Sequence, residues 1–236
     1  MRSLVDALER FNRKERNLLV RDAIGHNESP IPLSQGFRDK IAKRLGLQEE
    51  VPADAWWATD YHIAWLAGAL SVYALGEGAL EQTWANPPAN QRRLMEANQE
   101  DIDLVVSWET RIVLIEAKGY SCFSNTQLES KLARLELVQG HYRSLTESCN
   151  IDVDFRLLLT SPQAPQKVDV VPPSWLCPTG TIPWMKLNLG TVGDRLLVSR
   201  CNAKGEVDAS GDHWRLAPQN GYKENCGSAA LAEAIA

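Results

Sequence analysis

The chain lacks most of the short signals that would assign a chemistry outright. Its five cysteines (Cys122, Cys149, Cys177, Cys201 and Cys226) form no C-x-x-C pair, so neither a zinc site nor a disulfide framework is expected. Reduced cysteines without a chemical role are the expectation. There is no glycine-rich loop followed by Lys-Ser/Thr, which argues against an ATP-driven function. No G-x-S-x-G turn occurs, and His26, His62, His141 and His213 stand in no recognisable triad context. The longest apolar stretch, residues 63–76, is interrupted by Gly68 and Ser71 and falls short of the roughly 20 residues a membrane span needs. The start, MRSLVDALERFNRKER, alternates charge with apolar residues and carries no secretory apolar block. A cytoplasmic location with no membrane association is therefore expected.

What is present suits a globular protein. A length of 236 residues, with 44% hydrophobic and 23% charged residues, allows one large domain or a core with appendages. Net charge is −5, yet residues 1–44 hold ten basic groups against six acidic ones. That asymmetry fits a basic face beside an acidic centre, and it equally fits solvated helix surfaces.

Periodicity divides the chain into three parts. Residues 1–50 form an N-terminal helical extension packed on the core, with one helix from a Ser3 cap to Gly25 and a second from Gln35 to Gly46. Residues 51–165 form the core. It begins with a helical stretch from Pro52, with Thr59 or Asp60 as a further cap, and Gln91 to Ala97 adds one or two helical turns. Two strands follow, joined near SWET (107–110), then a strong helix from Asn125 to Leu145 and a third strand from Asp154 to Thr160. On that helix Leu128, Leu132, Leu135, Val138 and Tyr142 form the buried face, and Gln127, Lys131 and Arg134 a polar one. Residues 166–236 form a C-terminal extension with short strands and a flexible tail. The fold class is α/β, a mixed central sheet flanked by helices.

The informative stretch is EDIDLVVSWETRIVLIEAKG, residues 100–119. Asp103 opens one apolar strand, and Glu116 and Lys118 close the next, on one face by alternation. Ionised groups at core strand ends cost free energy unless something pairs with them. Two carboxylates at this spacing supply hard oxygen ligands suited to Mg²⁺, with the Ala117 carbonyl between Glu116 and Lys118. A lysine beside them suits charge stabilisation during phosphodiester hydrolysis.

These residues resemble the PD-(D/E)xK nuclease superfamily, with its restriction-endonuclease-like core, over residues 55–160. The longer run from RFNRKERNLLV through TDYHIAWL and QEDIDLVV to LIEAKGYSCFSNTQLESKLARL resembles an uncharacterised bacterial branch of it, which names no substrate. The resemblance implies a metal-dependent nuclease, on DNA rather than RNA. It implies Mg²⁺ or Mn²⁺ held by Asp103, Glu116 and the Ala117 carbonyl, and Lys118 assisting the attacking water. A homodimer would be needed for many double-strand cuts. The superfamily also has members that kept the fold and lost cleavage, which leaves a non-catalytic nucleic-acid or protein-binding module as the alternative.

Accessory candidates surround this core. Asp60, with Glu77 or Glu81 as substitutes, stands where many members add an acidic group from a preceding helix. His62 could contact phosphate or move a proton. Glu100 and Asp101 would deepen an anionic pocket, and Gln127 and Lys131, one turn apart, could reach the nucleic-acid backbone. Trp56, Trp57 and Trp108 could stack on bases.

Overall fold

The computed structural model describes residues 3–26, 31–90, 93–96, 100–147, 152–189 and 196–218. The chain begins with α1 (Leu4–Glu9), whose cap is reciprocal. Ser3 Oγ accepts from the Asp6 N–H at 3.0 Å, and the Asp6 carboxylate accepts from the Ser3 N–H at 3.1 Å. The expected single helix to Gly25 is in fact two, α1 and α2 (Glu15–Ala23). The break follows from Phe11, whose ring lies so close to Gly68 that a Cβ there would come within 2.7 Å of it. Three-residue turns closing on Leu8 and Glu9 end α1 so that this ring can turn inward. Helix α3 (Gln35–Leu45) stops, as expected, at a left-handed Gly46.

The next segment corrects the sequence reading. Residues 56–62 form strand β1 (Trp56–His62), not a helix, and α4 (Ile63–Leu75) begins only at its end with His62 in the cap position. WWATDYH is rich in aromatic residues, which favour a pleated, half-buried surface. Asp60 is therefore a strand residue and not a helix cap. Its φ of 51° lies in the left-handed region, uncommon for a residue with a side chain. Before it, Trp57 packs with the α3 side of the core; after it, Tyr61 packs with α1 and α4. Asp60 is where the strand changes side.

Helix α4 turns by 117° into α5 (Gly78–Ala85), and among the described residues no single helix is long and apolar enough to cross a membrane. Residues 93–96 form no helix, and the rest of the turns expected over 91–97 lie outside the described residues. Strands β2 (Asp101–Trp108) and β3 (Arg111–Ala117) form the expected hairpin, closed by a left-handed Glu109. Helix α6 (Asn125–Thr146) then crosses to β4 (Asp154–Ser161), which runs parallel to β3, and β5 (Trp184–Lys186) adds a fifth strand. The sheet order is β1-β2-β3-β4-β5, antiparallel through β3 and parallel beyond it. Strands β6 (Leu196–Cys201) and β7 (His213–Pro218) pair separately, with Leu196, Val198, Trp214 and Leu216 exposed. The expected tail, 219–236, lies outside the described residues.

An α/β protein with a mixed sheet flanked by helices results. Helices α1, α4 and α6 cover one face over Ala58, Val105, Leu114 and Leu157. Helix α3 covers the other over Val106, Val113, Ile115 and Leu158. The cysteine expectation is also corrected, because Cys122 is disulfide-bonded, to a partner outside the described residues, while Cys177 and Cys201 are free.

Tyr61 ties β1 to α1. It is fully buried, its hydroxyl donates to the Leu8 carbonyl at 2.9 Å, and burial pushes its ionisation far above the usual range. Tyr61→Phe removes one of two donors to that carbonyl, which keeps the Phe11 N–H at 3.2 Å, and should lower stability by about 1 kcal/mol. Urea unfolding should show the midpoint falling at unchanged m-value.

Candidate active site

Strand alternation puts Asp103 and Glu116 together. The paired register of β2 and β3 ends at Leu104–Ile115, and Asp103 and Glu116 are the next residue on each strand. The Asp103 carboxylate accepts the Ala117 N–H at 2.6 Å, so the side chain replaces a strand carbonyl as acceptor. Lys118 follows immediately, its N–H donating to the Thr160 carbonyl at 2.9 Å, which extends the β3–β4 ladder past the catalytic candidates. The three residues singled out by the sequence are thus brought to one sheet end.

Glu116 has a side-chain partner from α6 that the sequence reading does not name. Glu116 is 3% exposed, and its Oε1 lies 2.5 Å from Lys131 Nζ, which is 5% exposed on α6. Lys131 also donates to the Asp101 carbonyl at 2.7 Å. The Glu116 contact is a close ion pair rather than a well-directed hydrogen bond, since Oε1 has no hydrogen-bond partner among the described residues. Lys131 is therefore not on a solvent-facing polar face of α6 and not free to reach a nucleic-acid backbone. Arg134, placed on the same face by the sequence, is also buried and donates to the carbonyls of Arg93 and Leu94 at 2.6 and 3.2 Å. Gln127 alone of that set is exposed.

Burial raises the Glu116 carboxyl from 4.5 to about 7; Lys131 opposes this, Asp103 adds to it, and Lys118 opposes it.

Beside this pair lies a second charged group. The Asp101 carboxylate receives Lys14 Nζ at 2.8 Å and the His62 Nδ1–H, which sets the histidine tautomer. The His62 ring also packs edge-on against Trp65, over whose face Arg13 lies. Arg16 pairs with Asp60 at 3.3 Å. Glu100 accepts from Ser130 Oγ at 2.9 Å through one oxygen, while the other is buried without a hydrogen-bond partner among the described residues. Asp101 thus neighbours the site through Lys131, but its carboxylate is occupied by Lys14 and His62, and that of Asp60 by Arg16. Of the alternatives to Asp60, Glu77 pairs with Arg10 at 3.2 Å and Glu81 is exposed on α5. The tryptophans are structural: Trp56 packs against Tyr61, Trp57 donates to the Ile31 carbonyl, and Trp108 is buried under Arg111.

The donor chemistry fits a hard divalent cation. Two carboxylates share one face, one of them with a buried oxygen lacking a directed hydrogen bond, and Mg²⁺ commonly takes one or two carboxylates and completes its shell with water. Among the described residues no group of three or more His, Cys, Asp or Glu side chains converges on a metal-sized site. Compared with family models, curated proteins and solved structures, the chain matches none.

Two outcomes follow for stability. Glu116 is held above its unfolded value, so its contribution is fully present below pH 4.5 and is lost as pH rises through about 7. Urea midpoints should fall across that window, and the fall should disappear in Glu116→Gln. At mildly alkaline pH, where Glu116 is ionised in the parent, Lys131→Met strands its charge and should be clearly destabilising, by up to about 3–5 kcal/mol, whereas Glu116→Gln/Lys131→Met together should recover most of it. A double-mutant cycle measures the difference.

Proposed function

We propose that this chain is a metal-dependent nuclease with a restriction-endonuclease-like core, cutting phosphodiester bonds in DNA in preference to RNA. The observation that supports the reading is the cross-strand placement of Asp103 and Glu116, with Lys118 two residues on and α6 leading to a parallel β4. Asp103, Glu116 and the Ala117 carbonyl are the residues that would hold Mg²⁺ or Mn²⁺. Such an ion, when bound, acidifies a coordinated water and polarises the phosphoryl oxygens.

The chain's own residues divide the remaining work. Asp103 is held by the Ala117 N–H, which orients its carboxylate before any ligand arrives. Lys118 brings a positive charge to the same sheet end, suited to orienting a water or to the charge that grows on phosphorus. The apolar residues of β2 and β3 bury Glu116 while Asp103 and Lys118 stay half-exposed, which leaves room for water and a ligand at that end. His62, with Nδ1 fixed by Asp101, offers a nitrogen for proton transfer to the leaving oxygen.

One observation favours a second reading, a non-catalytic binding module on the same framework: Glu116 already has a cation, Lys131. The N-terminal basic groups are a weaker DNA surface than their number suggests, because Arg10, Lys14 and Arg16 are spent on carboxylates and Arg38 on the Leu33 and Val51 carbonyls.

A nuclease assay over single-stranded, duplex and branched DNA with Mg²⁺ or Mn²⁺ separates the two. The parent should cut, and Asp103→Ala, Glu116→Ala and Lys118→Ala should each lose about a hundredfold or more in rate, as removal of one preorganised charge-stabilising group does elsewhere. Cleavage by Glu116→Ala or Lys118→Ala at the parental rate would sink the mechanism.

A further inference from the structure

We infer that Lys131 is a built-in counter-cation, standing in for a divalent ion at Glu116 and displaced from it when that ion binds. The inference rests on the metal reading of Asp103 and Glu116 and deepens it by naming the group with which the metal competes.

Three observations carry it. Lys131 reaches Glu116 from α6, an element that supplies neither candidate metal ligand, so its ammonium and a metal would approach the same carboxylate from different supports. The contact at Oε1 is close but poorly directed, which makes it chiefly electrostatic, and a doubly charged ion can outbid it. The ammonium has a second partner, the Asp101 carbonyl at 2.7 Å, so leaving Glu116 does not leave it without a hydrogen bond. A buried lysine with one ionic and one neutral acceptor can shift toward the neutral one without being expelled from the fold. Lys118, by contrast, follows Glu116 on the same strand end and offers no separate element that could move aside.

The arrangement also accounts for why a buried Glu116 and a half-buried Asp103 can lie close together without a metal. Their mutual repulsion is relieved by a charge belonging to the protein, and the fold does not depend on loading. Metal affinity is correspondingly weakened, because each binding event must first break the Lys131–Glu116 contact and then tolerate a nearby ammonium.

Titration calorimetry with Mn²⁺, at mildly alkaline pH and low ionic strength, tests this on the full chain. Lys131→Met should bind Mn²⁺ at least about tenfold more tightly than the parent, the order expected from removing one neighbouring positive charge. Its melting temperature should be lower without metal and should rise further on saturation than the parent's does. Equal, measurable affinities in the two proteins would overturn the inference while leaving the metal site standing. Absence of Mn²⁺ binding in both would overturn the metal reading itself.

Lys131→Gln supplies an independent check if Lys131→Met does not fold, because its amide can keep a hydrogen bond to the Asp101 carbonyl while the charge is gone. It should likewise bind Mn²⁺ several-fold more tightly than the parent. A Lys131→Gln affinity equal to the parent's would refute competition by the ammonium.

Discussion

A lysine and a glutamate, both nearly inaccessible to water and 2.5 Å apart, fix the position of everything around them. Neither charge can be buried alone without a penalty of several kcal/mol, so α6 must sit where Lys131 meets the end of β3. The same ammonium holds the Asp101 carbonyl, which sets the start of β2 relative to α6. Asp103 lies two residues further along β2, and its carboxylate takes the Ala117 N–H immediately after Glu116. One ion pair therefore aligns three elements, and the acidic pair is a product of that alignment.

The charges around the site fall into two tiers with different supports. Glu116, Asp103 and Lys131 rest on the central strands and a 22-residue helix, all packed into the main core. Asp101, Asp60 and Glu77 are met by Lys14, Arg16 and Arg10, which come from the segment around α1 and α2. An acidic sheet end is thus balanced from two directions, by a buried cation within the core and by surface cations along its rim. The rim pairs are more accessible and are screened by salt, whereas the buried pair is not.

Much of this was legible in the sequence, and the failures have physical causes. The β2–β3 hairpin, α6 and β4 were readable because their apolar patterns are long and their turn and cap residues agree with them. Asp103, Glu116 and Lys118 were readable because charge at the end of an apolar strand needs an explanation. Strand β1 was not, since the apolar stripe of α4 follows it without a break and drew the helix boundary back to Pro52; the aromatic run WWATDYH was the neglected signal. The partner of Glu116 was missed for a different reason. Lys131 lies beside Leu128 and Leu132 on a helix whose buried arc is wider than one apolar stripe, and a lysine in such an arc reads as solvated until the opposing carboxylate is placed.

The left-handed Asp60 and the thinly packed α2 have a shared implication for how the molecule opens. Strand β3 is hydrogen-bonded on both sides, and Ile112 to Ile115 are at most 1% exposed, so its amides should be among the last to exchange with solvent. Helix α2 buries only Asn17 and leaves Leu18, Leu19 and Val20 exposed. Local opening there releases Lys14 and Arg16 from Asp101 and Asp60 without disturbing the β2–β3 ladder. The rim of the acidic sheet end can therefore lose its cations on the timescale of a fraying surface helix, while the carboxylates at its centre stay fixed until the whole domain unfolds.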